Sequence, residues 1–129
     1  MNDLAWLIDG NNVFGSRPDG WWNDPQAAMR RLTQRVAEWC RTHDDLVTLV
    51  FDGPVGDDTL VLAGGNLRIE VARRRGRDAA DDLIVELAQR IDRPRVVTAD
   101  RGLRQRLIDT CGERVEMIGV GRFRDLVSY

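Results

Sequence analysis

The sequence predicts an α/β fold, a three-layer sandwich with helices on both sides of a central, mainly parallel sheet. Two observations lead there. Short apolar, β-prone runs alternate with segments of helical periodicity, the signature of βαβ units. Three of those runs are each followed by an aspartate, Asp9, Asp52 and Asp100, as expected where the carboxyl ends of parallel strands line one ligand-binding edge. The 129 residues, 43% of them hydrophobic and 31% charged, suit one domain spanning residues 1–129 with a single sizeable core.

The first strand is expected at Leu4 to Ile8 and the second at Leu46 to Phe51. Between them, Asp24 and Pro25 form a helix start, and Met29, Leu32, Val36, Trp39 and Cys40 recur at steps of three and four on one face. Leu67 to Ala72 alternates and predicts an outer strand. A second helix is expected from Asp78 to Ile91, its buried stripe formed by Ala80, Leu83, Ile84, Leu87 and Ala88, with Pro94 as a stop signal. Arg95 to Thr98 and Val115 to Val120 complete the strands, and the apolar character of the second and last runs suits strands covered on both faces. A short helix over Gly102 to Thr110 turns Leu103 and Leu107 inward, with Ile108 as a third candidate, and Gly112 ends it. Gly53 to Asn66 is expected as a loop with a short strand at Thr59 to Leu62. Gly15 to Asn23 is a second loop, and Phe123 to Tyr129 forms one last turn.

No apolar run approaches the ~18–20 residues of a membrane span, and Met1-Asn2-Asp3 lacks the basic start of a secretory signal. A cytoplasmic protein without membrane contact is expected. Cys40 and Cys111 are far apart and His43 is the only histidine, which argues against a zinc site. The net charge of −2 at first disfavours a nucleic-acid partner, but its distribution matters more. All 19 basic residues are arginine, a composition that a GC-rich genome also produces. The cluster Arg73, Arg74, Arg75 and Arg77 is more informative, because guanidinium groups grip phosphate bidentately.

Asp81 and Asp82 add acids to the first turns of the second helix, with the small Ala79 and Ala80 beside them. Asp78 is read as its N-cap. Carboxylates gathered at one edge repel and raise one another's pKa unless a cation neutralises them. Hard divalent ions with oxygen ligands do that, and they also activate water for attack on a phosphodiester. Asp9, Asp81, Asp100 and Asp82 are therefore candidate ligands of Mg²⁺ or Mn²⁺, and Asp9, Asp52, Asp81 and Asp100 are the candidate catalytic acids. Asn12 either holds a metal-bound water or phosphate or caps the turn. Arg101 is a candidate phosphate contact, as are Arg73, Arg74, Arg75 and Arg77. Trp21 and Trp22 either stack on bases or pack on their own helix or on a second copy in a homodimer.

These motifs, Leu7-Ile8-Asp9-Gly10-Asn11-Asn12-Val13, Val50-Phe51-Asp52-Gly53, Arg77 to Ile84 and Val97-Thr98-Ala99-Asp100-Arg101, resemble in order the NYN domains of the PIN-like nuclease superfamily, in its YacP-like branch. The resemblance covers residues 4 to about 108. It implies a PIN-like fold and metal-dependent endoribonuclease activity on RNA. The family's acids fall on Asp9, Asp52, Asp81 and Asp100, and its polar residue after the first acid falls on Asn12. Asp82 stands where the YacP-like pattern has a glutamate. The alternatives are a catalytically silent RNA-binding module on the same fold and the toxin nuclease of a toxin–antitoxin pair. An aspartyl-phosphate phosphatase would want a second Asp two residues after Asp9, where Asn11 stands, and no GxGxxG follows the first strand to hold a dinucleotide.

Overall fold

In a computed structural model that describes residues 4–72 and 78–129, five parallel strands form one sheet in the order β3-β2-β1-β4-β5. The strands are β1 (Leu4–Asp9), β2 (Leu46–Asp52), β3 (Leu67–Ala72), β4 (Arg93–Val97) and β5 (Glu116–Ile118). The helices are α1 (Gly10–Gly15), α2 (Pro25–Cys40), α3 (Asp57–Leu60), α4 (Ala79–Gln89), α5 (Arg101–Cys111) and α6 (Val120–Val127). β1 lies at the centre, paired with β2 through Ala5–Leu46 to Asp9–Val50 and with β4 through Leu4–Arg93 to Ile8–Val97.

The period-2 alternation of strands divides the core between the two faces of the sheet. Trp6, Ile8, Val47, Leu49, Phe51 and Val97 pack with α1, α2 and α6. Leu7, Val50 and Val96 point the other way and pack with α4 and α5 through Ala80, Ile84, Leu103 and Leu107. By the same alternation Asp9 follows Leu7, Asp52 follows Val50 and Thr98 follows Val96. All three strand ends thus present a polar side chain on the α4–α5 side.

α2 begins as its sequence predicts, with the Asp24 carboxylate accepting from the Ala27 N–H at 3.1 Å and Pro25 in the first turn. β3 lies at one edge, as its alternation implies. Other elements differ from expectation. Residues 10–15, Asn- and Gly-rich, form α1, because Val13 and Phe14 are buried against the core and hold the turn in place. Thr59 to Leu62 is not a strand. Asp57 and Asp58 open the short helix α3, and Thr59 is its buried residue. β5 is only three residues long and forms an edge, with Glu116 exposed, so its run is not a doubly covered strand. The residues after it form α6, which starts earlier than the single turn expected. Ile108 is 49% exposed and does not join the core. Pro94 does not merely follow a helix. It is buried within β4 at a point where β5, which pairs only with Arg95 to Val97, requires no N–H from it. The arginine cluster Arg73, Arg74, Arg75 and Arg77 lies outside the described residues. No helix among the described residues is long and apolar enough to cross a membrane.

Gly10 is required where β1 turns into α1. A Cβ there would stand 2.6 Å from the Phe51 ring and 2.8 Å from the Val50 carbonyl oxygen. Backbone cannot yield as a flexible side chain can, so Gly10→Ala is expected to destabilise the fold by about 1–3 kcal/mol, measurable by urea denaturation.

Candidate active site

Four of the predicted acids meet in one open cleft of about 350 Å³ at the carboxyl edge of the sheet, lined by Asp9, Asp52, Asp81 and Asp100 together with Asn11, Asn12, Asp78 and Ala80. Asp9 is its buried member, 5% exposed at the end of the central strand. Burial pushes its carboxyl above the ordinary 3.8, and the charges of Asp100 and Asp52 push the same way. The Thr98 hydroxyl and the backbone N–H of Asn12 pull it back.

Thr98 joins two of the acids. Its Oγ1 donates to Asp9 Oδ2 at 2.9 Å and accepts the Asp100 N–H at 3.1 Å. The hydroxyl has one proton, and spending it on Asp9 leaves its oxygen to receive from Asp100. Asp100 in turn caps α5, its Oδ1 accepting the Leu103 N–H at 2.9 Å. Capping and cleft membership are both satisfied, since the cap engages one of two carboxylate oxygens.

Two asparagines tie the strand ends together. Asn12 Oδ1 accepts the Ala99 N–H at 2.8 Å, linking α1 to the segment before Asp100. Asn11 clamps the backbone of Asp52. Its Oδ1 accepts the Asp52 N–H at 2.8 Å and its Nδ2 donates to the Asp52 carbonyl at 3.4 Å. Sequence reasoning missed Asn11. Its only signal was an amide side chain one residue before Asn12, at the turn where the first two strand ends had to be joined.

Asp81 faces the cleft from the first turns of α4, where the small Ala80 lets the helix approach. Its carboxyl is pushed up to about 6, chiefly by burial and then by the charges of Asp100, Asp9 and Asp78, with Arg106 opposing. Asp78 occupies the N-cap position of α4 without making a side-chain cap bond, and it lines the cleft instead. The structure does not bring Asp82 to the cleft. Asp82 is exposed, pairs with Arg106 of α5 at 2.8 Å and lines a separate groove with Glu70 and Glu86. The cause is helical geometry, since adjacent helix residues project ~100° apart. Arg101 is exposed at the start of α5. Trp21 packs edge-on against Phe14 at 5.5 Å, away from the acids, while Trp22 is 61% exposed.

The donors that line the cleft are oxygens and amides, without histidine or cysteine. His43 lies elsewhere, against Trp39 at 4.4 Å. Among the described residues, no group of three or more acidic, histidine or cysteine side chains stands ready-formed around a metal position.

A family model described as a PIN like domain matches residues 31–119, more than half of the chain. The chain belongs to the PIN-like domain family. Two crystal structures of Rae1 (YacP) from Bacillus subtilis share its fold. One superposes with a TM-score of 0.76 at 22% identity, covering 99% of this chain and 74% of that one. A single-substitution mutant of the same protein gives 0.74 at 21% identity, covering 98% and 76%. No curated protein matches the chain. The family match begins after Asp9, whereas the structural likeness extends over β1 and the first acid.

The raised Asp81 carboxyl carries a stability consequence. A carboxyl whose folded pKa lies above its unfolded value supports the fold most fully at low pH, and that support is lost as the pH rises from about 3.8 through about 6. In metal-free buffer, Asp81→Asn is therefore expected to raise the melting temperature near neutral pH. The gain should vanish below 3.8, where both forms are uncharged. Melting curves across that range check it.

Proposed function

We propose that this PIN-like domain is a metal-dependent endoribonuclease that hydrolyses RNA phosphodiester bonds in the acidic cleft. The observation that carries the reading is the convergence of Asp9, Asp52, Asp81 and Asp100 on one cleft, with Asp9 buried and Asp81 pushed up to about 6 by burial first and by its acidic neighbours second. Acids that are buried and set beside other acids destabilise the fold while nothing neutralises them, which is the mark of a site arranged for a task rather than for packing. A phosphodiester also has the same sign of charge as the cleft, so its approach calls for a cation between them.

The donor set fits a hard divalent ion such as Mg²⁺ or Mn²⁺, which accepts few carboxylates and completes its shell with water and substrate oxygens. Asp9, Asp81 and Asp100 would hold it, with Asp52 binding directly or through water. When bound, such an ion supplies an activated water and charge compensation at the leaving oxygen. Asp82, committed to Arg106, is left out of this set.

The chain's own residues do the positioning. The Thr98 hydroxyl holds Asp9 in one orientation and favours its ionised form. Asn12 fixes the backbone ahead of Asp100, and Asn11 fixes Asp52. Asn12 and Arg101, with Arg73, Arg74, Arg75 and Arg77 on the segment before α4, are the groups assigned to the RNA phosphates.

Purified protein is expected to cleave RNA with Mn²⁺ or Mg²⁺ and to stop on addition of EDTA. Tight RNA binding without cleavage under any divalent ion would overturn the reading and leave a silent binding module. Asp9→Asn and Asp81→Asn are each expected to abolish cleavage while the protein stays folded by circular dichroism. Normal activity in both would sink the site. Thr98→Val removes only the hydroxyl that orients Asp9, and is expected to lower activity by about 10–100-fold, measured as initial cleavage rates.

A further inference from the structure

The acidic cleft is not the largest concavity of the molecule. A groove of about 630 Å³ lies on the outer face of α2, lined by Arg17, Arg31, Gln34, Arg35, Arg41 and Tyr129 among others. We propose that this arginine-lined groove holds the phosphate backbone of an RNA strand outside the acidic cleft.

Charge is the first support. Four guanidinium groups surround the groove, on a chain whose net charge is −2. Two acids temper them. Asp19 lies 3.6 Å from Arg17 and 3.7 Å from Arg31, and Glu38 lies 3.6 Å from Arg35. Among the side chains, these four cations outnumber the two anions, opposite in sense to the chain as a whole. The distances are those of loose, exposed ion pairs, which cost little to exchange for phosphate. Arg17, Arg31 and Arg35 have 40%, 47% and 52% of their side chains exposed.

Periodicity is the second support. Arg31, Gln34 and Arg35, Glu38 and Arg41 recur at helical steps along one face of α2, opposite the buried stripe of Met29, Leu32, Val36 and Cys40. From Arg31 to Arg41 the helix rises ~15 Å, enough to follow several consecutive phosphates. Gln34 adds an uncharged donor within that stripe. Arg17 comes from a different segment, after α1, and is held over the Tyr129 ring at 5.0 Å. Two parts of the chain therefore present guanidinium groups to one groove. Arginine forks suit phosphate, which they can grip with two parallel hydrogen bonds.

The proposal shares RNA with the reading above but not the cleft, so the two can fail separately. The test is titration of fluorescently labelled single-stranded RNA with the full chain in EDTA, at a series of salt concentrations, followed by anisotropy. Arg35→Ala/Arg41→Ala is expected to weaken binding uniformly across RNA sequences and to reduce the slope of log K against log salt by about 0.7 for each arginine removed. Its melting temperature should match the parent chain. The control Arg90→Ala/Arg114→Ala removes the same charge from residues outside the groove, and is expected to leave the slope unchanged. An equal loss in both variants would mean that net charge alone acts, and would overturn the groove. Unaltered binding in Arg35→Ala/Arg41→Ala would overturn it as well and turn attention to an acidic protein partner. Loss of binding in that variant, in a chain that never cleaves RNA, would uphold the groove while defeating the nuclease reading.

Discussion

Asp9 sits where water barely reaches, at the end of a strand with neighbours on both sides and helices on both faces. A carboxylate there must be solvated by protein, and the Thr98 hydroxyl and the Asn12 N–H supply part of that solvation. The arrangement around it follows from this need. Thr98 must lie beside Asp9, which requires β4 to be the strand next to β1. The same hydroxyl receives the Asp100 N–H, which sets where α5 begins. A displacement of β4 by one residue would turn Thr98 to the other face of the sheet and leave Asp9 without its partner.

The cleft is held by backbone-directed side chains rather than by ion pairs. Asn11 binds the Asp52 backbone, Asn12 binds Ala99 and Asp100 caps its own helix. Neutral and capping contacts of this kind orient the acids while leaving carboxylate oxygens to face the cleft. The arginine that does approach, Arg106, is engaged by Asp82 on the outer side of α4. The acids therefore repel one another with little local compensation, and this tension distinguishes the cleft from the balanced ion pairs elsewhere on the surface. The arginines of the α2 face lie in a different layer from the acids of the cleft.

Much of the fold was legible because its signals are local. The Asp24-Pro25 start of α2, the apolar stripe of α4 and the alternation of β3 each depend on residues a few positions apart. The elements that were misjudged depend on distant contacts. α1 exists because Val13 and Phe14 are buried against strands far along the chain, and its Gly-Asn-Asn start resembles a turn. α3 is too short for any periodicity to show. β5 has an apolar run but only one neighbouring strand, and pairing is not written in composition. In the cleft, the acids could be picked out because each follows an apolar run. Asn11 could not, because what matters about it is the Asp52 backbone 41 residues away.

The sequence by itself determined the α/β class, the parallel order of strands and helices, and the placing of an aspartate near each of three strand ends, because these follow from hydrophobic period and from the chemistry of single residues. The PIN-like resemblance was also carried by those short motifs. The sequence preferred Asp81 to Asp82 for the site, and only the tertiary structure shows where each side chain goes. Helix rotation turns one into the cleft and the other toward Arg106, and that rotation is set by packing of Ala80 and Ile84 against the sheet. Only the tertiary structure, likewise, revealed that Asp78 lines the cleft, that Thr98 serves two acids at once, and that arginines from two segments share a groove on α2. These are relations between residues far apart in the chain, and only folding brings them together.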